Sequence, residues 1–141
     1  MTEILEKLSQ ADGIIFGSPI YLHSITSQLK ALLERLIFPN ISYEDGSSLA
    51  QKKMSTAFIY TMGVHSMEKF DYPNSFNKPE SFIETIFTKP EVIYSIDTYQ
   101  FNDYSKYKVN GSLEELKAKQ RETQFPLDCD KAFEIGANLI K

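Results

Sequence analysis

Three short apolar runs alternate with helix-like segments along the chain, and this alternation strongly limits the folds available. The runs are Gly13–Gly17, Met54–Thr61 and Glu91–Thr98. Continuous apolar runs of this length are typical of strands that are buried on both faces, as in parallel sheets. Strands that alternate with helices pair in parallel through right-handed crossovers, with helices on both faces. The sequence therefore predicts an α/β fold built on a doubly wound parallel sheet.

The segments between the runs carry the apolar spacing of amphipathic helices. Helices are predicted over residues 3–10 and 24–37, from Pro79–Glu80 to Phe87, from residue 112 onward, and over 130–141. The predicted N-caps are Thr2, Ser24 and Ser112, because such hydroxyls accept a hydrogen bond from a free N–H of the first turn. Pro126 is predicted to separate the last two helices.

Three loops follow the predicted strands, at residues 18–24, 61–66 and 98–107. Ser18–Pro19 is predicted to end the first strand, and residues 64–78 and 99–110 are predicted to be irregular and aromatic. Ligands of open α/β sheets bind outside the carboxyl ends of the strands. These three loops are therefore the expected ligand site.

Composition indicates a small globular chain. Its 141 residues, 42% hydrophobic and 24% charged, predict one domain over residues 1–141. A net charge of -4 provides no basic face, so neither nucleic acid nor a membrane surface is expected as a partner. Cys129 is the single cysteine and lies between two aspartates, so we expect no internal disulfide, no reactive thiol and a cytoplasmic location. No signal peptide is visible, and one cysteine with two histidines makes a poor zinc site.

The strongest motif is ADGIIFGSPIY at residues 11–21, followed by a helix that contains Gln28-Leu29-Lys30. This stretch resembles the NAD(P)H-dependent FMN reductases and iron–sulfur flavoproteins of the flavodoxin-like superfamily. Two further matches are Thr61-Met62-Gly63 and the ending from Phe125 to Gly136. The resemblance implies a flavodoxin-like fold, FMN as the cofactor and NAD(P)H as the electron donor.

In that family the turn after the Gly-Ser-Pro-x-Tyr motif wraps the isoalloxazine ring, and a later loop also faces the flavin. The resemblance therefore implies nine cofactor-binding residues, which are Ser18, Pro19, Ile20, Tyr21, Leu22, His23, Thr61, Met62 and Gly63. The flavin itself performs the hydride chemistry in such enzymes. No catalytic side chain and no metal ligand is therefore assigned.

The resemblance breaks down at the N-terminus. A family member begins with a strand, a phosphate loop of the Gly-Ser-Pro-Arg-x-x-Gly-Asn-Thr type and a second strand, whereas Met1 falls about where the second crossover helix begins. We therefore expect an N-terminally truncated domain in which Ile14–Phe16 is an unpaired edge. An exposed apolar edge is a template for association, which predicts a homodimer or a higher oligomer.

Several of these residues also have a structural interpretation. Tyr21 can cover the end of the sheet instead of a flavin, and His23 and His65 can be solvated. Gly63 can serve a turn or a close backbone approach. Six aromatic residues are expected in loops, where we favour a dimer contact over a flavin wall: Tyr72, Phe76, Tyr99, Phe101, Tyr104 and Tyr107.

Two functional hypotheses remain open. The first is an FMN-dependent NAD(P)H oxidoreductase similar to flavin or quinone reductases. The second is a shortened flavodoxin-like protein that binds no flavin and acts through self-association or a protein partner. A third possibility is that the sequence is cut from a longer protein, which would then be a complete flavoprotein.

Overall fold

The computed structural model describes residues 2–139, apart from the side chains of residues 2, 73 and 75. The predicted end of the last helix, at residues 140 and 141, lies outside this range. The predicted capping role of the Thr2 side chain also lies outside the described part of the chain.

Four strands form one sheet in the order β2-β1-β3-β4. Their bounds are β1 Gly13–Tyr21, β2 Ser24–Ile25, β3 Ser55–Thr61 and β4 Glu91–Ser95. β1 pairs in parallel with β3, and β3 pairs in parallel with β4, whereas β2 folds back antiparallel on the last two residues of β1. The fold is thus α/β with a mostly parallel, flavodoxin-like sheet, as predicted.

Within residues 2–139, five helices connect and cover the strands. They are α1 Thr2–Gln10, α2 Ser27–Ile37, α3 Tyr72–Ile86, α4 Ser112–Thr123 and α5 Phe125–Leu139. Short 3-10 turns occupy Phe38–Asn40, Glu68–Phe70 and Tyr104–Lys106. None of the described helices combines the length and the apolar character that crossing a membrane requires.

The helices lie on both faces of the sheet. On one face, α1, α2 and α3 cover β1 and β3 in the main core, which includes Phe16, Leu33, Phe58 and Ile83. On the other face, α5 packs on β3 and β4 through a smaller cluster, whose buried members are Ala57, Ile93 and Ile135. The prediction of helices on both faces is therefore confirmed.

The expectation that the first apolar run is buried on both faces is wrong. Ile14 and Phe16 are buried, but Ile15 is 45% exposed and Gly17 is also exposed. The register places Ile15 beside Ala57 of β3, on the face where α5 packs. α5 covers β3 and β4 and leaves this part of β1 open, so only one face of β1 is fully covered by the described residues.

The edge predicted at Ile14–Phe16 is present. β2 pairs only with Ile20 and Tyr21 of β1. The outer edge of β1 from Gly13 to Pro19 therefore has no partner strand among residues 2–139.

The first strand and second helix begin and end differently from the prediction. Ser18–Pro19 does not end β1, which continues to Tyr21. A proline is tolerated there because β1 is an edge strand, whose outer side needs no donor. Ser24 is not the cap of α2, since it belongs to β2, and Thr26 caps the helix instead by accepting a hydrogen bond from the N–H of Leu29.

The later helices also begin at residues other than those that their prolines and capping residues predict. α3 begins at Tyr72 and contains Pro79 in its interior, so residues 72–78 are helical and not irregular. α5 begins at Phe125, which places Pro126 in its first turn, where proline is readily accommodated. Ser112 is the first residue of α4, and Gly111 occupies the cap position.

Candidate functional site

Residues 18–23, called the 18–23 loop below, comprise the end of β1 and the tight hairpin turn between β1 and β2. Leu22 and His23 form its two-residue turn, with φ of 50° and 62°. Both values are positive, which is the type I′ geometry that matches the twist of paired strands and is usually supplied by Asn-Gly. For a leucine this left-handed conformation costs on the order of 1–2 kcal/mol. Strain of this kind is concentrated at functional sites.

The side chains at this tip point outward. Leu22 is 97% exposed and Tyr21 is 67% exposed. Large apolar side chains that are this accessible, on a strained turn at the carboxyl end of a strand, present a contact surface to a ligand or partner. The predicted residues Tyr21 and Leu22 are thus available for binding.

The 61–63 loop lies next to this hairpin. Pro19 of β1 is the register partner of Thr61 of β3, so the two predicted segments are neighbours at the carboxyl edge of the sheet. Met62 is buried; its N–H donates to the Ser95 carbonyl at 3.0 Å, and its carbonyl accepts from the Thr98 N–H at 3.0 Å. The loops after β3 and β4 are therefore joined by backbone hydrogen bonds.

Gly63 is approached closely by a side chain. A Cβ atom added at Gly63 would lie 2.3 Å from Nε2 of Gln100, which is closer than the Cβ contacts of real proteins. The group that approaches Gly63 here is the Gln100 amide, and the approach to a flavin that the resemblance implies stays a prediction. Because this amide ends a flexible side chain, it can move aside or donate to a ligand at the same place.

Lys117 of α4 is bonded to both the 61–63 loop and the loop that follows β4. Its side chain is fully buried, and its Nζ donates to the carbonyls of Gly63 (2.8 Å) and Thr98 (3.0 Å) and to Oδ1 of Asp97 (2.9 Å). These three bonds satisfy every donor of the ammonium group. We call this set, together with His65, the Lys117 cluster.

Asp97 is the anionic centre of the Lys117 cluster. It is 4% exposed and has a φ of 56°, and its Oδ2 lies 2.9 Å from Nδ1 of the exposed His65. Burial disfavours the charged carboxylate, but the hydrogen bonds from His65 and Lys117 outweigh it and lower the pKa of Asp97. The carboxylate is therefore ionised at neutral pH and balances the buried lysine.

The polar groups at the start of α2 are bonded to one another. The Thr26 N–H donates to the Ser18 hydroxyl at 3.0 Å, and that hydroxyl donates to the Pro19 carbonyl at 2.8 Å. The Thr26 hydroxyl caps the helix. These hydrogen bonds stabilise the 18–23 loop.

The two histidines are not brought together. Nδ1 of His23 lies 2.6 Å from the Tyr72 hydroxyl, and its ring packs on Phe70 with a centroid distance of 4.9 Å. His65 pairs with Asp97 instead. Each histidine thus has its own structural partner, and His23 ties the hairpin tip to the start of α3.

Several aromatic residues expected in exposed loops are in the core. Tyr72 and Phe76 lie on α3 and Tyr104 on a 3-10 turn, and all three are at most 4% exposed. Tyr60 stacks on Phe76 with a centroid distance of 4.9 Å, so aromatic rings pack α3 against the sheet. The expectation that Tyr72, Phe76 and Tyr104 form a dimer contact is wrong for this reason. Tyr99, Phe101 and Tyr107 remain at least partly exposed.

The structure therefore brings the predicted segments to one edge and adds residues that the sequence did not reveal. Among the predicted residues, Ser18, Ile20 and Met62 are buried or partly buried and stabilise this end of the sheet. Tyr21, Leu22 and the 61–63 loop lie at the carboxyl edge of the sheet. The missed residues are Gln100, Asp97 and Lys117. A signal that the sequence does offer is the position of Lys117 four residues after Leu113, on the apolar stripe of the predicted helix.

The accessible part of this edge suits a flat, largely apolar ring with polar atoms on its rim. Leu22 and Tyr21 offer apolar contacts, and the Gln100 amide beside Gly63 offers polar atoms. An isoalloxazine ring has this shape and chemistry. The described residues therefore fit the ring side of FMN.

Comparison with known proteins identifies a family and several relatives of this chain. Residues 1–72 match the family model described as NADPH-dependent FMN reductase. An iron–sulfur flavoprotein from Methanocaldococcus jannaschii is 54% identical over 33 residues, which cover 23% of this chain and 17% of the relative. An iron–sulfur flavoprotein from Methanosarcina thermophila is 49% identical over 37 residues, which cover 26% and 19%.

A third relative is similar over a longer stretch. An FMN-dependent NADH:quinone oxidoreductase from Jannaschia sp. is 29% identical over 65 residues, which cover 45% of this chain and 32% of the relative. A crystal structure of a thermophilic tryptophan halogenase from Streptomycin violaceusniger superposes with a TM-score of 0.47 at 18% identity, over 86% of this chain and 70% of its own, which is too weak to compare sites.

The matching segments span less than a third of the length of these curated relatives. The family model, in contrast, covers about half of the chain and includes both the 18–23 loop and the 61–63 loop. On that match, this chain belongs to the NADPH-dependent FMN reductase family.

Proposed function

We propose that this chain forms the ring-side half of an FMN site in a cytoplasmic flavin-dependent oxidoreductase that takes electrons from NAD(P)H. The observation that carries the proposal is the tip of the β1–β2 hairpin, where Leu22 is fully accessible and strained, three residues after Pro19, the register partner of Thr61. An exposed leucine in the left-handed region gains nothing for the fold. A contact with a bound ring would account for its presence.

The residues at this edge have separate roles in the proposal. Tyr21 and Leu22 contact the ring, and the Gln100 amide beside Gly63 meets its polar rim. The Lys117 cluster positions the 61–63 loop from below without touching the ring. The flavin, when bound, supplies the hydride chemistry, and the protein supplies binding, orientation and electrostatics.

A titration of the purified chain with FMN and with riboflavin tests the proposal. We expect both flavins to bind, with dissociation constants that differ by less than about tenfold, or about 1.4 kcal/mol, because this sequence contains no phosphate loop of the Gly-Ser-Pro-Arg-x-x-Gly-Asn-Thr type. Quenching of flavin fluorescence reports the binding. Absence of quenching at saturating flavin would contradict the proposal for this chain, and tight binding of FMN alone would contradict its restriction to the ring side.

Leu22→Asn separates the strain of the turn from its binding role. Asparagine tolerates the left-handed conformation, so we expect the free energy of unfolding to rise by about 1 kcal/mol. Flavin affinity should fall at the same time, because the apolar contact is lost. Urea unfolding and the flavin titration measure the two effects. Leu49→Asn is the control, since Leu49 is a 57% exposed leucine in the loop after α2, and it should change neither the unfolding free energy through strain nor the affinity.

The second candidate function is non-catalytic self-association without flavin. The open edge of β1 favours it. A chain that oligomerises and quenches no flavin would support this candidate, whereas NAD(P)H oxidation that requires added FMN would support the enzyme.

A further inference from the structure

A small pocket lies at the carboxyl ends of β3 and β4, on the side of the sheet away from the β1–β2 hairpin. Its volume is about 260 Å³, and Thr61 at the end of β3 belongs both to its lining and to the 61–63 loop. Complete sites for drug-sized ligands occupy about 300–1,000 Å³. The pocket is therefore suited to one end of a ligand whose remainder lies along the 61–63 loop.

Arg121 of α4 lines this pocket, which we call the Arg121 pocket, and packs on two aromatic rings. Its Cζ lies 5.9 Å from the ring centroid of Tyr99 and 5.7 Å from that of Phe125. Aromatic faces attract a guanidinium at this distance. Tyr104 stabilises the segment that carries Tyr99, since its hydroxyl accepts from the Gln100 N–H at 3.0 Å. These contacts orient a flexible side chain in advance, which lowers the cost of binding.

The charge of Arg121 is not balanced by the residues around it. Asp97 and Lys117 also line the pocket, but they pair with each other at 2.9 Å. Arg121 forms no ion pair with a carboxylate of the described residues 2–139. A guanidinium presents a planar fork of N–H donors that matches the oxygens of a phosphate or a carboxylate. The pocket therefore carries a net positive charge and favours an anionic group.

Neutral polar groups beside Arg121 are also available to a ligand. The hydroxyls of Thr61 and Thr98 and the amide of Gln120 line the pocket, and none of the three has a hydrogen-bond partner in the part of the chain that the structure describes. Phosphate oxygens accept hydrogen bonds from arginine, hydroxyl and amide donors together. The donor set of the pocket thus suits a phosphate group.

We propose that the Arg121 pocket binds a phosphate group of the nicotinamide dinucleotide donor, an inference that rests on the proposed function. The donor has to place its nicotinamide ring against the flavin, whose ring side lies at the 61–63 loop in that proposal. Thr61 joins this loop to the Arg121 pocket, so one elongated ligand reaches both. A dinucleotide carries its phosphates outside its redox-active ring and fills the two places at once.

Calorimetric titration of the flavin-free full chain with ADP-ribose tests the proposal. ADP-ribose contains the pyrophosphate of the donor but no nicotinamide ring, so its binding does not depend on a flavin. We expect the wild type to bind it and Arg121→Gln to weaken binding by about tenfold or more, the effect of losing hydrogen bonds to a charged group. Arg121→Lys should restore only part of the affinity, because it keeps the charge and loses the fork.

Arg35→Gln is the matched control, since Arg35 is an exposed arginine on α2, and it should bind ADP-ribose like the wild type. Circular dichroism verifies that all the variants are folded. A wild type that does not bind ADP-ribose, or equal losses from Arg121→Gln and Arg35→Gln, would overturn the proposal. Inorganic phosphate that displaces ADP-ribose at equal concentration would overturn the dinucleotide as the source of the phosphate.

Titration of the same variants with FMN and riboflavin separates this proposal from the proposed function. Arg121→Gln should leave both flavin affinities unchanged, and a selective loss of FMN affinity would assign the pocket to the flavin phosphate instead. Flavin binding without ADP-ribose binding would contradict the Arg121 pocket alone. ADP-ribose binding that requires Arg121, without flavin binding, would support the pocket as a phosphate site and contradict the flavin site.

Discussion

Lys117→Met is expected to destabilise the protein by about 3–5 kcal/mol, the range for breaking a buried ion pair by removing one partner. The methionine retains the packing of the aliphatic stem but leaves the Asp97 carboxylate buried, with the exposed His65 as its remaining side-chain partner among the described residues. It also removes the donor from the carbonyls of Gly63 and Thr98. A loss of this size is a large share of the stability of an ordinary domain. Urea unfolding followed by circular dichroism measures it.

Lys119→Met provides the control on the same helix. Lys119 is exposed and takes part in no ion pair among the described residues, so its replacement should change the free energy of unfolding by less than about 0.5 kcal/mol. Equal effects of the two variants would show that Lys117 contributes only as a surface lysine and would contradict the cluster.

A double variant isolates the unpaired charge. Asp97→Asn removes the charge that Lys117→Met leaves behind, and asparagine tolerates the positive φ at this position. We expect the double variant to be more stable than Lys117→Met alone, because replacing both partners costs less than stranding one. Additive losses from the two changes would indicate that the charges do not interact.

Phe58→Ala is the second variant with a large expected effect, also about 3–5 kcal/mol. Phe58 is completely buried at the centre of β3, with ring centroids 4.9 Å from Phe16 and 5.5 Å from Tyr60. Alanine would leave a cavity between two rings that cannot collapse toward each other, since both are held in the sheet. The midpoint of urea unfolding should therefore shift far more than its slope.

Phe38→Ala is the matched control for this variant. Phe38 is 67% exposed at the end of α2 and contacts Tyr43 at a centroid distance of 5.6 Å. Its truncation should cost well under about 1 kcal/mol. A loss comparable to that of Phe58→Ala would mean that aromatic contacts outside the core stabilise the sheet to the same degree.

The alternation of strands and helices could be predicted because hydrophobic periodicity is a local property of the chain. Ile14 with Phe16 and the stripe that includes Leu33 each report their own face. The 18–23 loop could be located for the same reason, since it follows directly from the strand before it. Its hairpin could not be predicted, because the pairing of Tyr21 with Ser24 depends on a turn built from Leu22 and His23, which carry no turn signal.

The errors at Pro79 and Ser24 have a common physical origin. At both positions a local sequence preference is overridden by tertiary packing. Proline favours a helix start at Pro79, but the helix continues on both sides of Pro79 because Tyr72, Phe76 and Ile83 are buried along one stripe. Ser24 is a good cap, but Thr26 is equally suitable and lies just beyond the hairpin.

The Lys117 cluster could not be predicted from sequence patterns. Its members are separated by up to 54 residues, and each contact involves a backbone carbonyl or a carboxylate that carries no periodic signal. The unpaired edge was predictable in contrast, because it follows from strand order alone.

The same separation has a consequence for how the protein matures during synthesis. Gly63 leaves the ribosome well before Lys117, and β3 can pair with β1 as soon as both have emerged. The carbonyls of Gly63 and Thr98 acquire their buried donor only after α4 has been made. A nascent chain that ends before residue 117 would therefore contain the sheet but not the finished 61–63 loop, so competence for ligand binding is expected to arise late in translation, in a step separate from formation of the sheet.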